Sequence, residues 1–208
     1  LAALRIFGTT PVLQPMLGLV AMLPLLSMAW GNLAAIRQVS FRRMIAYSSI
    51  GHAGYLFYAL LGDGDGRWQA IVFYVIAYGL MNLLAFAALP RGADDERQDR
   101  LDALKGLYRR RPFAAVMIAL AMLSLAGLPP LPGFVAKFLV FKNVLAAGHT
   151  LYAVAGLVAS YLGIYFYLRV IQYMFMAEEE PGAARGSPRR YVVMASLLCL
   201  VPAVLVAS

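Results

Sequence analysis

The sequence predicts an all-α fold: a polytopic transmembrane helix bundle in which one helix is discontinuous, broken by prolines. Three observations predict it. Of the 208 residues, 62% are hydrophobic and 13% charged, where a soluble domain runs nearer half apolar and a quarter charged. The apolar residues fall in runs close to the length of about 20 residues that spans the hydrocarbon of a bilayer. One of those runs contains LAGLPPLPGFVAKF (125–138), where three prolines and two glycines interrupt a helical pattern and a lysine follows.

Hydropathy places spans at 12–36, 44–61, 68–89, 113–147, 151–176 and 191–207, together one membrane domain over 1–208. The start, LAALRIFGTT, carries no charged n-region, short apolar core and cleavage site, so it does not read as a signal peptide. It opens without Met and its first apolar run stops early, which predicts the tail of a helix that begins outside this sequence. The chain is therefore expected to be part of a longer protein, and the short last span predicts a clipped C-terminus as well. Internal repeats are not evident.

The run 113–147 is too long for one straight crossing, since a helix of that length measures about 50 Å at 1.5 Å per residue. Two crossings would need about 40 residues and a turn. Cytoplasmic loops of membrane proteins carry an excess of Lys and Arg, and that rule arbitrates. With a single crossing, the loops 37–43, 91–111 and 178–190 share one side and hold thirteen Lys and Arg residues, against Arg5, Arg67 and Lys142 opposite. With two crossings, Arg185, Arg189 and Arg190 move to the sparse side. One discontinuous crossing is expected, broken near 127–133.

The break itself points to chemistry. Pro129, Pro130 and Pro132 lack backbone N–H groups and clash with the preceding turn, ending the first half-helix near Gly127, with Gly133 beside the restart. Irregular backbone at membrane depth is tolerated only where it is buried in protein or lines a wet cavity. Discontinuous helices are how transporters build ion sites near the midplane. Lys137 lies just past the break, and an intramembrane charge is a functional candidate by default. Burial disfavours an ammonium and free helix carbonyls favour it, and a group so balanced can load and release a proton. The static alternative is snorkelling, or a fixed pair with helix carbonyls; Lys142, nearer the helix end, is assigned to snorkelling.

His52 stands midway along its span, and Ser48, His52 and Tyr55 share one helix face. A histidine suits a proton relay; a buried histidine merely bonded to a neighbouring helix has the same spacing. Tyr74, Tyr78 and Asn82 form a second stripe, and Tyr165, Arg169 and Tyr173 a third. Three polar faces imply a bundle with a wet seam, or interhelical hydrogen bonding alone. The candidate relay is thus Lys137 and His52, followed by Ser48, Tyr55, Tyr78, Tyr165 and Arg169.

Other chemistries are excluded in turn. The net charge of +8 and the run KGLYRRR (105–111) are assigned to the basic loops of a membrane protein, not to nucleic acid. Cys199 is alone and no carboxylate lies inside an apolar run, which leaves no disulfide framework and no metal site. GDGDG (62–66) echoes a calcium loop without its closing glutamate. There is no P-loop, dinucleotide fingerprint or Ser/His/Asp set, so the chain is expected to hold no cofactor and to perform no redox chemistry itself.

Several stretches together resemble the antiporter-like membrane subunits of respiratory complex I. GNLAAIRQVSFRRMIAYSSIGHAGY (31–55) resembles that family's helix pair, with a Gly-Asn motif, a basic loop and AYSSI-x-H-x-GY. LKGLYRRRPFAAVMIALAMLSLAGLPPLPGFVAKFLVF (104–141) resembles its broken helix, and GIYFYLRVIQYMFM (163–176) resembles the N-subunit branch in particular. The resemblance covers nearly the whole chain. It implies a proton channel built from two inverted repeats of five helices around a central line of lysines and histidines, of which this chain is the second half. Lys137 then matches the lysine of the second broken helix, His52 a relay histidine, and Arg42 and Arg43 a basic pair in the loop. The family's first broken helix, with its two lysines, and the acidic residue that partners one of them are absent from this sequence.

The resemblance further implies a multi-pass subunit of the bacterial inner (plasma) membrane that does not function as a monomer. Its partners would be the lipid bilayer, protons and the other membrane subunits of complex I, with NADH, FMN, iron–sulfur clusters and quinone in partner subunits. A subunit of a multi-subunit sodium/proton antiporter and the membrane subunit of an energy-converting hydrogenase share the broken helix and lysine. A scaffold piece, whose polar stripes only hold helices together, is the remaining alternative.

Overall fold

The computed structural model describes residues 14–62, 64–90 and 99–176. The span expected at 191–207, the loop 178–190, Arg5 and Cys199 lie outside the described residues. The helices, in order, are α1 (Gln14–Ile36), α2 (Phe41–Ala59), α3 (Asp65–Ala88), α4 (Leu107–Arg110), α5 (Pro112–Ala126), α6 (Pro132–Ala146) and α7 (Thr150–Met176), with a 3₁₀ turn at Leu101–Leu104. Among the described residues there is no strand, only an isolated bridge between Ser40 and Arg100.

Among the described residues two helices, α3 over Gly66–Ala88 and α7, are long and apolar enough to cross a membrane alone. Their outward faces carry large apolar side chains, among them Val72, Leu83, Val158 and Leu151. Such an apolar exterior is what lipid or a neighbouring membrane helix requires.

The proline-broken run is resolved into α5 and α6, and α3 shows how they are arranged. The C-terminal half of α3 (Met81, Leu84, Ala85, Ala88) shares one buried cluster with α5 residues Met117, Ile118, Ala121 and Met122. Its N-terminal half (Ala70, Tyr74, Ala77) shares a second with α6 residues Ala136, Val140 and Val144. At the far end Asn143 Nδ2 donates to Gly66 O (2.8 Å). The two half-helices therefore stand end to end along one antiparallel partner, as a single discontinuous crossing.

The basic end of the bundle is tied by short polar contacts. Ser40 caps α2, its Oγ accepting from Arg43 N–H (3.1 Å), and its hydroxyl also bonds the Asp99 carboxylate. This cap starts α2 at Phe41, so Arg42 and Arg43 lie in its first turn, not in the loop where the resemblance put them. Arg169 Nη1 donates to Ile36 O (3.0 Å) at the end of α1, joining α7 to it. Replacing Ser40 by Ala removes both bonds. A lost N-cap costs about 1 kcal/mol, so the assembled protein is expected to melt a few degrees lower, with the helical signal of the native state unchanged.

Candidate functional site

The site is assembled at the break. Gly127 ends α5 with a left-handed φ of 87°, and its N–H turns back to Leu123 O and Ser124 O. That leaves carbonyls of the last turn without helical donors, as at every helix end. Lys137, from the second turn of α6, fills the gap: its Nζ donates to Leu125 O and Ala126 O, both at 3.0 Å. The ammonium thus sits at the negative end of the α5 dipole, and its Nζ also lies 5.3 Å from the Tyr55 ring centroid. Among the described residues no carboxylate pairs with it. Gly127 is needed twice, since a Cβ there would also press on the Lys137 side chain at 3.0 Å.

The opposite tie closes the break from the other half. Gly133, in the first turn of α6, donates its N–H to Ser124 Oγ (3.0 Å). Each half-helix therefore supplies the cap of the other: Ser124 of α5 for the free donors of α6, and Lys137 of α6 for the free acceptors of α5.

His52 of α2 lies buried on the other side of a small cavity. Its Nδ1 bonds Tyr74 Oη (2.8 Å) and its Nε2 bonds Tyr167 Oη (3.0 Å). The Tyr167 hydroxyl also bonds Ser48. Tyr78 stacks on the imidazole with ring centroids 4.4 Å apart and donates to Ser49 Oγ (2.5 Å). The result is a continuous hydrogen-bonded line through three helices, Ser48–Tyr167–His52–Tyr74. It ends at a cavity of about 10 Å³ lined by His52, Tyr74, Tyr78, Ser124, Gly133 and Lys137 among others. That is room for about one water.

Of the residues the sequence singles out, Lys137, His52, Ser48, Tyr55 and Tyr78 come together here. Tyr165 and Arg169 do not: Tyr165 is 61% exposed, and Arg169 is spent on Ile36 O and the Tyr173 ring. The face of α7 that points inward is Gly156, Ser160, Gly163 and Tyr167, so Tyr167 takes the place expected for Tyr165. The spacing of the small residues Gly156, Ser160 and Gly163 by four and three, with Tyr167 four further on, was the available signal. Tyr74 stands in the stripe read from the sequence but not among the chosen candidates. Between His52 and Tyr167 the hydrogen bond is direct, ring nitrogen to hydroxyl. On its far side Lys137 borders a larger cavity of about 280 Å³ with Gly127, Ser160, Phe138 and Tyr161. Among the described residues no group of side chains could hold a metal ion.

A family profile described as "NADH:quinone oxidoreductase/Mrp antiporter, TM" matches residues 1–163. The chain belongs to this antiporter family. A curated member, NADH-quinone oxidoreductase subunit N of Pelobacter propionicus, is 44% identical over 180 residues, 86% of this chain and 38% of that protein. In solved structures, a chain of respiratory complex I from Thermus thermophilus with bound aureothin is 40% identical with a TM-score of 0.76. It covers 88% of this chain and 43% of its own length is matched. A chain of the Mrp complex from Dietzia sp. is 27% identical with a TM-score of 0.69, over 81% of this chain and 32% of that one. The sequence thus spans well under half the length of the family members it matches.

Proposed function

We propose that this chain is a proton-conducting portion of a membrane subunit of a respiratory NADH:quinone oxidoreductase. Relatives from several bacteria at 40 to 45% identity carry the name of that enzyme's subunit N, which supports this reading over the sodium/proton antiporter and the hydrogenase. On this reading the chain does no redox chemistry and holds no cofactor. NADH, FMN, iron–sulfur clusters and quinone belong to partner subunits, and the site of action is the bacterial plasma membrane beside the other membrane subunits.

The observation that carries the proposal is the line Ser48–Tyr167–His52–Tyr74, ending at the cavity that Lys137 also lines. A neutral imidazole has one N–H and one free nitrogen. A proton arriving through one tyrosine hydroxyl is taken at the free nitrogen, and the other N–H proton leaves through the opposite hydroxyl. Each tyrosine accepts one proton as it releases its own, so the hydroxyls return neutral and His52 returns as the other tautomer. Lys137 supplies or receives the proton across the cavity; as a neutral amine it keeps N–H groups for Leu125 O and Ala126 O. Quinone reduction elsewhere drives the cycle by changing the electrostatic surroundings of these groups.

The test is NADH-driven proton uptake into inverted membrane vesicles carrying the full-length subunit in its complex. Tyr167→Phe keeps the ring and removes the hydroxyl that joins His52 to Ser48; uptake is expected to fall severalfold at normal assembly. Tyr165→Phe, on the exposed face, is expected to leave it unchanged. Native uptake with Tyr167→Phe would remove the tyrosine–histidine line from the proton route.

A further inference from the structure

Lys137 is buried, and among the described residues no carboxylate balances its charge. Leu125 O and Ala126 O accept two of its N–H groups. The remaining close partner is the ring of Tyr55, whose centroid lies 5.3 Å from Nζ. The negative face of an aromatic ring attracts a cation at that distance, most strongly where both are out of water. A neutral amine gains little from it. The ring therefore favours the protonated lysine, and its face has no oxygen lone pair to compete for the proton, as a carboxylate would.

The ring is held in that pose from several sides. Tyr55 is 2% exposed and lies beside His52 on α2, with ring centroids 5.8 Å apart. Tyr74 of α3 stacks on it at 5.9 Å, and Phe141 of α6 meets it edge-on at 6.2 Å and 87°. The Tyr55 hydroxyl lies toward Ser160 and Asn32 without hydrogen-bond geometry to either. Neither His52 nor Lys137 bonds to that hydroxyl, which leaves the ring as the part of Tyr55 that acts on the site.

We propose that Tyr55 is a positioning residue for the pumped proton, its ring face holding the charge of Lys137 at the break in place of an acidic partner. When Lys137 is loaded, the ring and the two carbonyls share the cation. When it unloads, the attraction of the ring lapses and the carbonyls alone keep the amine in place. This rests on the relay reading above and deepens it, by naming what the lysine's charge leans on.

The vesicle assay, with the full-length subunit in its complex, tests it. Tyr55→Leu removes the ring and is expected to slow NADH-driven proton uptake about tenfold, equivalent to about 1.4 kcal/mol in the step. Tyr55→Phe keeps the ring face and is expected to recover most of that loss. Phenylalanine analogues carrying one, two and three ring fluorines at position 55 then separate charge from packing. Fluorine drains the negative ring face while changing its size little, so uptake is expected to fall with each fluorine at constant assembly. The series gives its answer even if Tyr55→Leu fails to accumulate. Equal uptake across the fluorinated rings would overturn the proposal and leave Tyr55 as packing. Uptake as low in Tyr55→Phe as in Tyr55→Leu would overturn it too, by assigning the effect to the hydroxyl. Either result beside lost uptake in Lys137→Met would leave the relay standing, while native uptake in Lys137→Met would overturn the relay itself.

Discussion

Lys137→Met is expected to abolish most proton uptake while the complex still assembles, and through tight coupling to slow NADH oxidation with it. Methionine has nearly the length of lysine and suits an apolar setting, but it can neither carry nor pass a proton. Loss of a positioned proton-transfer group slows its step by roughly a hundredfold or more. The substitution also strips the donors from Leu125 O and Ala126 O, at about 1–3 kcal/mol for a buried acceptor left unpaired. Assembly must therefore be measured in parallel, by the amount of complex recovered from the membrane. Lys137→Arg separates charge from titration. Arginine keeps the cation and can bond both carbonyls, yet it does not release its proton, so assembly without pumping is the expected result. Lys142→Met, on the exposed side of the same helix, is expected to pump normally. An assembled Lys137→Met enzyme with native uptake would sink the assignment, and the break would then be packing.

Gly133→Ala is expected to have the largest effect on the structure itself. A Cβ at this position would overlap the backbone carbonyl oxygen of Ser124, an atom that cannot swing aside because it already accepts the turning N–H of Gly127. The half-helices would have to separate, breaking the Gly133–Ser124 bond and moving Lys137 off its carbonyls. Overpacking of this kind costs about 1–3 kcal/mol even where side chains can yield, and here backbone must. Little assembled subunit should be recovered from the membrane. Gly79→Ala is the control: it lies in α3 with nothing near its missing Cβ, and alanine should stabilise that helix by up to about 1 kcal/mol. Equal recovery of the two variants would show that the close contact at the break is not needed.

What was legible in the sequence was whatever violates the rules of an apolar helix. Prolines at 129, 130 and 132 announce the break, and a lysine or a histidine inside an apolar run announces itself by its cost. Tyrosine gives no such signal, because its ring satisfies an apolar pattern and its hydroxyl a polar one. The stripe Tyr165, Arg169 and Tyr173 looked like the working face of α7, although it is the outer one. The inner face is marked by small residues, which let α7 approach its neighbours closely enough for Tyr167 to reach both His52 and Ser48. Ser124 was illegible for a different reason. A lone serine in an apolar helix has no pattern, and its partner, Gly133, is brought beside it only by the path of the chain through the break.

The arrangement of α3 against both half-helices has a mechanical consequence. It acts as a splint across a fracture. Bending the α5–α6 rod at its prolines would shear two packed clusters at once, one on each side of the gap. Angular motion at the fracture is thereby restrained, while the side chains within it remain able to exchange partners. Stiffness is supplied by the neighbour, and on the proposed reading the rod need not flex for the side chains at the discontinuity to exchange a proton.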